Sequence, residues 1–398
     1  EETLQHHYLA DAIVELEPSA TEAVDEKVKE MRRQGIDDMI SLGVGEPCFD
    51  TPDNIKNAAV KALMDGETKY QPTAGAVPLR EAICRKLERE NNIKTDAENV
   101  VVTAGGKFSI YLAFTAMLQK GDTVVLLDPA WVSYEAAAQI NGAKVIRVPS
   151  SAADGFSPDL DRVERVMDDS VKIIVANSPC NPSGALFSKD TLRQLARIAD
   201  KYGAMLMSDE VYEYQIYGQT HYSPASEFEN IITVNAFSKS YAMTGWRLGY
   251  SVAPADIVDG MKKIYSHSTS SVTSFAQWGA IEALDSEASA AEVKKMQRIY
   301  EENRSLMIRL IQKSAYLDLD CEPQGAFYCF PSYRFDMGSI ELATRLLEKY
   351  HVGTVPGLAF GQCGEGFLRL SYAADGKAIE EAMGRMETFF QELEKEIG

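Results

Sequence analysis

The sequence predicts an α/β fold with a mostly parallel seven-stranded sheet flanked by helices, followed by a smaller α+β domain. Between about residues 95 and 290, short β-branched and apolar runs alternate with longer amphipathic stretches, which is typical of a parallel sheet covered on both faces by helices. After about residue 290 a long charged helical stretch precedes a β-rich segment punctuated by glycine and proline. The 398 residues also exceed the roughly 100–200 of one typical domain.

The individual elements follow from these patterns in chain order. One helix is predicted before the sheet, at 20–34. The seven buried strands are predicted at 100–103, 123–127, 144–148, 172–176, 204–208, 231–235 and 249–253. Helices are predicted at 109–119, 157–167, 189–201, 290–313, 339–350 and 377–395. We therefore divide the chain into an N-terminal arm and helix that joins the small domain (1–45), a large domain that contains the sheet (46–290) and a small C-terminal domain (291–398).

Charge and composition argue against several classes of partner. With 59 acidic and 40 basic side chains the net charge is −19, which repels nucleic acids and anionic membranes. No apolar run reaches the ~18–20 residues of a membrane span, and Glu1, Glu2 and Asp11 do not suit a signal peptide. Six scattered cysteines and five histidines, including His6 and His7 in a terminus expected to be mobile, show no metal-ligand spacing. We expect a cytoplasmic protein with reduced thiols and no metal site.

Two glycine clusters resemble nucleotide-binding loops only in part. Gly43 and Gly45 lack the last glycine and the strand-to-helix setting of a dinucleotide fingerprint. Gly105, Gly106 and Lys107 lack the earlier glycine of a P-loop, and a phenylalanine follows the lysine in place of a hydroxyl residue. The second cluster still joins a strand to a helix, where exposed amides bind anions, although a plain turn is equally compatible with it.

The segment 235–247 contains the strongest candidate nucleophile. Lys239 follows a predicted strand and lies among small and hydroxyl residues such as Ser238. A lysine in such surroundings loses its proton readily and can form a Schiff base with a carbonyl. Arg247, eight residues later, could bind a phosphate with its planar guanidinium. Taken alone, a lysine is far more often a solvated surface residue.

Three further strand ends carry polar or aromatic side chains. Asp209 and Tyr212 follow one strand, Asn181 follows another in a Pro/Gly-rich stretch, and Trp131 follows a third. The carboxyl ends of strands in an open α/β sheet are where ligands bind. The Asn181–Pro182 bond is a candidate for the cis form. Taken alone, Asp209 is more often a helix cap and Trp131 more often a core residue. Only the combination of these strand-end residues therefore indicates a ligand site.

One ligand would use all of these groups, namely pyridoxal 5′-phosphate. Its aldehyde needs Lys239, and Asp209 would keep a proton on its ring nitrogen, since a buried carboxylate favours a charged basic partner. We take Lys239, Asp209 and Tyr212 as the candidate catalytic residues. The other expected cofactor contacts are Gly105, Gly106, Lys107 and Arg247 at the phosphate, Trp131 on the ring, Asn181 and Tyr212 at the 3′-oxygen, and Ser238 beside the lysine.

From about residue 19 onward the chain resembles the fold-type I, class I aminotransferases, and most closely the prokaryotic-type aspartate aminotransferases. The matching stretches are 41–47, 70–75, 181–184, 208–212, 238–247 and 367–372. The resemblance implies an aspartate aminotransferase-like fold, a pyridoxal-phosphate-dependent transaminase and a homodimer with its active sites at the subunit interface. It further implies that Tyr70 reaches the neighbouring subunit's cofactor phosphate.

The resemblance also implies a set of substrate contacts. Arg369 would hold the substrate α-carboxylate with Asn181, Trp131 and Gly45, while an ordinary exposed ion pair is the alternative role for Arg369. Ser19, Thr21 and Lys107 match the residues that recognise a side-chain carboxylate in this subgroup. The segment 11–17 is acidic and would not favour a dianionic substrate, so aromatic donors stay an alternative.

The expected reaction is a ping-pong transfer from an L-amino acid to a 2-oxo acid such as 2-oxoglutarate. A cysteine-S-conjugate β-lyase on the same fold is the nearest rival, because Lys239 and Asp209 would serve either outcome. A non-enzymatic ligand-binding regulator would need a basic DNA-binding module, for which the first forty residues are too few and too acidic. A metal-dependent hydrolase lacks a ligand cluster in the sequence.

Overall fold

A computed structural model describes residues 8–397 of the chain. The expectations for Glu1, Glu2, His6 and His7 therefore lie outside the described residues. Among residues 8–397, no helix combines the length and the apolar character that crossing a membrane requires.

A seven-stranded sheet forms the centre of the molecule, as the sequence predicts. Its strands are β2 (Val100–Thr103), β3 (Thr123–Asp128), β4 (Lys144–Pro149), β5 (Val171–Asn177), β6 (Met205–Asp209), β7 (Ile231–Ala236) and β8 (Gly249–Val252). They are ordered β2-β8-β7-β6-β5-β3-β4, and β8 runs antiparallel to both of its neighbours while the other pairs are parallel. The carboxyl ends of β2, β3, β5, β6 and β7 therefore share one edge of the sheet.

The continuous apolar runs reflect burial on both faces of this sheet. In β3, Val124 and Leu126 belong to one core and Val125 and Leu127 to the other, because successive side chains of a strand alternate in direction. The expectation of burial is wrong for β4, in which only Val148 is fully buried. β4 is the outermost strand of the sheet, so its side chains have neighbours on one side only.

Helices cover both faces of the sheet and also form much of the rest of the described chain. They are α1 (Asp11–Val14), α2 (Ala20–Arg33), α3 (Asp53–Met64), α4 (Val77–Asn91), α5 (Gly106–Met117), α6 (Ser133–Ile140), α7 (Leu160–Val166), α8 (Lys189–Lys201), α9 (Phe237–Ser240), α10 (Ala255–Ser268), α11 (Ser274–Asp285), α12 (Glu287–Lys313), α13 (Ser339–Tyr350) and α14 (Gly376–Ile397). Helix α5 begins three residues before its predicted start, so Gly106 and Lys107 belong to its first turn.

The C-terminal part has its own apolar core and short strands. Those strands are β9 (Leu317–Asp318), β10 (Tyr328–Cys329), β11 (Ser332–Tyr333), β12 (Val352–Gly353), β13 (Val355–Pro356) and β14 (Leu368–Ser371). The N-terminal strand β1 (Ile40–Ser41) pairs with β12, and α2 packs against β12 and β13. This pairing supports grouping the first forty-five residues with the small domain, while the domain boundaries themselves stay a prediction.

Candidate active site

A cavity of about 320 Å³ opens at the carboxyl edge of the sheet, between the two parts of the molecule. Most of the residues singled out from the sequence line it: Thr21, Gly45, Gly106, Lys107, Trp131, Asn181, Asp209, Tyr212, Ser238, Lys239, Arg247 and Arg369. Gly105 lies directly beside the cavity, whereas Ser19 and Tyr70 are not among its lining residues. The topology thus brings together residues from strand ends that are far apart in sequence.

Lys239 lies where strand β7 passes into the short helix α9. Its side chain is half-buried, and Nζ donates a hydrogen bond to the Gly45 carbonyl oxygen. The lysine pKa is lowered to about 8. Burial is the main cause of this shift, and the nearby Arg369 guanidinium is the second. A substantial fraction of the amine is therefore neutral near physiological pH, as a nucleophile or base requires.

Asp209 closes the inner end of the cavity as the last residue of β6. It is 3% exposed, and burial raises the pKa of its carboxyl to about 6. The Tyr134 hydroxyl donates a 2.5 Å hydrogen bond to Oδ2 and opposes that rise. A positively charged group beside Asp209 would stabilise its ionised form. Sequence analysis missed Tyr134, whose position in α6 carries no signal that separates it from a core aromatic residue.

A buried polar network holds the residues that directly follow the end of strand β6. Glu210 accepts hydrogen bonds from Ser223 and Ser208 and lies 2.6 Å from His221 Nε2. Glu213 is paired with the buried Lys86 ammonium. Although oxygen and nitrogen atoms of Glu210, Glu213 and His221 lie within 4.8 Å of one another, Lys86 already supplies a cation beside them. The network fixes the backbone that carries Asp209, because each buried carboxylate has partners.

The turn between β2 and α5 forms an anion-binding corner. Gly105 caps α5 with φ +86°, and an added Cβ there would overlap the Arg247 guanidinium. Arg247 donates a 2.8 Å hydrogen bond to the Thr244 carbonyl oxygen and faces the cavity. The free amides of the first turn of α5 and the guanidinium together suit a phosphate group.

Arg369 is buried and has no acidic partner. It is 2% exposed and donates hydrogen bonds to Asn181 Oδ1 at 2.8 Å and to the Gly43 carbonyl oxygen at 2.6 Å. None of the ion pairs among residues 8–397 includes it, and its buried Nε has no hydrogen-bond partner. The alternative role, an exposed arginine in an ordinary ion pair, is therefore wrong. A buried guanidinium on a cavity wall without a counterion is suited to a carboxylate ligand.

Two tyrosines, Tyr212 and Tyr328, lie in the cavity wall next to Arg369. The hydroxyls of Tyr212 and Tyr328 lie 2.7 Å apart, and the Arg369 guanidinium carbon lies 4.4 Å from the centre of the Tyr328 ring. An added Cβ on Gly45 would lie 2.8 Å from the Tyr328 hydroxyl, so a larger residue here would displace that hydroxyl. Tyr328 was missed because nothing in its local sequence marks it as different from a core residue.

Near the mouth of the cavity, Lys107 and Trp131 lie beside the N-terminal helix α2. Lys107 Nζ lies 5.2 Å from the centre of the Trp131 ring and forms a 2.9 Å ion pair with Glu22. Thr21 lines the cavity, but the Ser19 hydroxyl caps α2 by accepting a hydrogen bond from the Glu22 amide. The structure thus gives Ser19 a capping position outside the cavity lining, and it adds Glu22, which sequence analysis did not single out.

Tyr70 is 91% exposed and does not contribute to the cavity of its own chain. The expectation that it serves a neighbouring subunit agrees with this position, but it stays a prediction. The three cis peptide bonds, Asp128–Pro129, Ser178–Pro179 and Asn181–Pro182, include the one that the sequence suggested.

The residues present fit pyridoxal phosphate. The buried Asp209, the Lys239 amine with its lowered pKa and the corner of Gly105 and Arg247 match the ring nitrogen, aldehyde and phosphate in turn. Trp131 supplies an aromatic face in the same cavity. Arg369 is not needed for any of these three cofactor groups, and its unpartnered Nε indicates that its guanidinium can bind an anion other than the cofactor phosphate.

Comparisons with known proteins agree with this chemistry. A family model described as aminotransferase class I and II matches residues 37–386. The chain is 41% identical to a probable aspartate/prephenate aminotransferase of Aquifex aeolicus, covering 97% of this chain and 99% of that protein. It is 38% identical to aromatic-amino-acid aminotransferase 2 of Thermococcus litoralis, covering 90% and 93%. The structure of Thermus thermophilus aspartate aminotransferase with maleate superposes with a TM-score of 0.93 at 39% identity, covering 96% and 99%.

Proposed function

Because the chain belongs to the family of class I and II aminotransferases, we propose that it transfers the amino group of a dicarboxylic L-amino acid, with aspartate as first choice, to a 2-oxo acid such as 2-oxoglutarate. The activity is a pyridoxal-phosphate-dependent transamination, and the proposal concerns which amino acid is the preferred donor. The relatives named for aspartate, prephenate and aromatic amino acids make these the substrates to compare.

One observation carries the choice of a dicarboxylic substrate. Arg369 and Lys107 line the same cavity as Lys239. The buried Arg369 would bind the α-carboxylate, which every amino acid carries, through its planar guanidinium. Lys107 would bind a second carboxylate on the side chain, since the other cations among the described lining residues, Lys239, Arg247 and Arg369, already have roles. Aspartate and 2-oxoglutarate both carry that second carboxylate.

The residues of the cavity divide the work of the reaction. Bound pyridoxal phosphate supplies an aldehyde for the lysine and an electron-withdrawing ring that stabilises negative charge at the substrate Cα. Asp209 would hold a proton at the ring nitrogen, because its buried carboxylate is most stable beside a cation. Lys239 Nζ would take the proton from the donor's Cα in the first half-reaction and give one to the Cα of the newly formed amino acid in the second, for which a pKa near 8 is well suited. The Tyr212 hydroxyl, which is hydrogen-bonded to the Tyr328 hydroxyl, would orient the cofactor's 3′-oxygen.

We also propose that the working unit is a homodimer. Tyr70 is 91% exposed, and Met64 and Val60 on the neighbouring helix α3 are 81% and 58% exposed. Large exposed apolar side chains within one stretch of the chain favour a subunit interface. A second copy bound there would cover them and could present Tyr70 to the partner's cavity. The six free thiols support a reducing compartment such as the cytoplasm.

A donor panel tests the substrate assignment. The holoenzyme is incubated with 2-oxoglutarate and aspartate, phenylalanine, tyrosine or alanine in turn, and glutamate or the 2-oxo acid product is measured. Aspartate should give the highest kcat/KM, and a clear preference for an uncharged donor would contradict the proposal. Release of pyruvate and ammonia from a cysteine S-conjugate without any acceptor measures β-lyase activity in parallel, and it should be slower than amino transfer.

A further inference from the structure

Lys107 is already paired with an acidic side chain of its own chain. Its Nζ lies 2.9 Å from Glu22 Oε1, and both residues line the cavity. Lys107 belongs to the first turn of α5 and Glu22 to the first turn of α2. The two side chains are 48% and 68% exposed, so the pair is weak and exchangeable.

The other acidic residues on the cavity wall have partners elsewhere. Asp25 lies 2.7 Å from Lys29, outside the cavity, and Glu46 accepts a hydrogen bond from the Thr244 hydroxyl. Asp209 accepts its hydrogen bond from Tyr134 at the inner end. Among the described residues that line the cavity, Glu22 is therefore the acidic one that pairs directly with the cation assigned to the substrate side chain.

This pairing affects charged and uncharged substrates differently. A side-chain carboxylate that approaches Lys107 meets the Glu22 carboxylate at the same ammonium and must displace it or tolerate its repulsion. An uncharged side chain leaves the pair intact and can lie against the adjacent face of Trp131. Without Glu22, the same uncharged side chain would lie beside a lysine charge without a counterion.

We propose that Glu22 is a specificity-determining residue, an internal counterion of Lys107 that reduces the preference for dicarboxylic substrates and lets the same cavity accept aromatic ones. Its exposed position allows the side chain to rotate towards solvent when a substrate carboxylate takes its place. Specificity is a difference between two affinities, and a repulsive group can set it as well as an attractive one. The inference rests on the proposed function, since it assigns Lys107 to the substrate side chain.

The variant Glu22→Gln removes the charge and keeps the size of the side chain. Single-turnover half-reactions of the holoenzyme with aspartate and with phenylalanine, without any acceptor, give the specificity constant for each. The aspartate-to-phenylalanine ratio should rise about two- to fivefold, the effect of one partly exposed charge. A ratio that is unchanged or lower would overturn the role of Glu22.

Glu26→Gln is the matched control. Glu26 lies on the same helix, 65% exposed, and pairs with Lys29 outside the cavity. It changes the net charge by the same amount, so its ratio should equal that of the unmodified protein. An equal rise in both variants would indicate a general charge effect and would contradict a specific role for Glu22.

Equilibrium binding gives a readout that does not depend on turnover. Calorimetric titration with maleate, a dicarboxylate, and 3-phenylpropionate, a monocarboxylate, measures the two affinities. Glu22→Gln should tighten maleate binding by about two- to fivefold and leave 3-phenylpropionate unchanged. Equal tightening of both would overturn the inference while leaving the proposed function intact. If the unmodified holoenzyme converts neither aspartate nor phenylalanine, the proposed function fails, and this inference fails with it.

Discussion

At position 239, burial and a neighbouring charge change the lysine in the same direction. Removing water from around the amine destabilises its charged form, and the Arg369 guanidinium adds repulsion. The same guanidinium lacks a carboxylate partner among the described residues. One arginine can thus serve two purposes, as the site for the substrate α-carboxylate and as a group that keeps the lysine reactive before the substrate binds.

The pKa of Lys239 predicts how the apo-protein takes up pyridoxal phosphate. Only the neutral amine attacks an aldehyde, so the rate of uptake should rise with pH and level off above about 8. Stopped-flow absorbance of the loading reaction measures this profile. Arg369→Gln removes a charge that lowers the pKa, so the midpoint should move to higher pH. A midpoint near the ordinary lysine value of 10.5 in the unmodified protein would contradict the lowered pKa of Lys239.

How far single residues could be predicted depends on whether their sequence surroundings are unusual. Lys239 and Asp209 could be predicted because they belong to a combination of strand-end and loop residues that one ligand, pyridoxal phosphate, would use together. Tyr134 and Tyr328 lie in ordinary helix and strand patterns, and only the folded chain shows their hydroxyls beside Asp209 and Tyr212. Glu22 was overlooked because its partner Lys107 is eighty-five positions away.

At the scale of elements, the turn from β2 into α5 carries the anion-binding corner. The positive φ of Gly105 turns the chain so that the amides of the first turn of α5 are exposed. The missing Cβ also makes room for Arg247, which comes from the loop before β8. The corner therefore depends on one backbone conformation and one absent side chain.

Gly105→Ala tests that corner. The added Cβ would displace the Arg247 guanidinium and strain a left-handed backbone, so the affinity for pyridoxal phosphate should fall by at least about tenfold. Fluorescence titration of the apo-protein measures this affinity. Gly121→Ala is the control, because Gly121 has φ +99° but nothing within 4 Å of its added Cβ. It should lower stability and leave cofactor affinity unchanged, and an equal loss in both variants would contradict a local role for Gly105.

The sequence predicted strands better than helix starts. Each of the seven strands of the central sheet begins and ends within one residue of its predicted position, because a buried strand is a sharply bounded apolar run. Helix α5 begins at Gly106, before the apolar periodicity starts, and α7 begins at Leu160 after the cap residue Asp159. Capping groups and turn geometry decide these positions, and they leave a weaker trace in the sequence than burial does.

At the scale of the whole molecule, the candidate site belongs to neither part alone. The large part provides Lys239 and Asp209 from the sheet edge, and the C-terminal part provides Arg369 from β14. The N-terminal segment reaches the same cavity through Gly45 and Thr21. Local sequence patterns predicted the large part, the C-terminal part and the N-terminal segment separately. That all three line one cavity depends on long-range packing, and only the family resemblance predicted it.

Mixing two inactive variants tests the proposed dimer. Lys239→Ala lacks the reactive amine, and Tyr70→Ala lacks the side chain proposed to cross the interface. If Tyr70 serves the partner's cavity, hybrid dimers hold one complete site, and unfolding and refolding a mixture should restore about a quarter of the full activity. No recovery in a mixture shown by native mass spectrometry to contain hybrids would contradict the role of Tyr70. A fully active monomer in sedimentation experiments would contradict the dimer itself.

The most direct test of the account concerns the lysine that holds the cofactor. The loaded protein is reduced with borohydride, which makes the link between cofactor and lysine permanent, and its peptides are mapped by mass spectrometry. The cofactor mass should appear on the peptide that contains Lys239, and Lys239→Ala should remove both that label and amino transfer. A label at Lys107 or at another lysine, with Lys239 unmodified, would contradict the central claim.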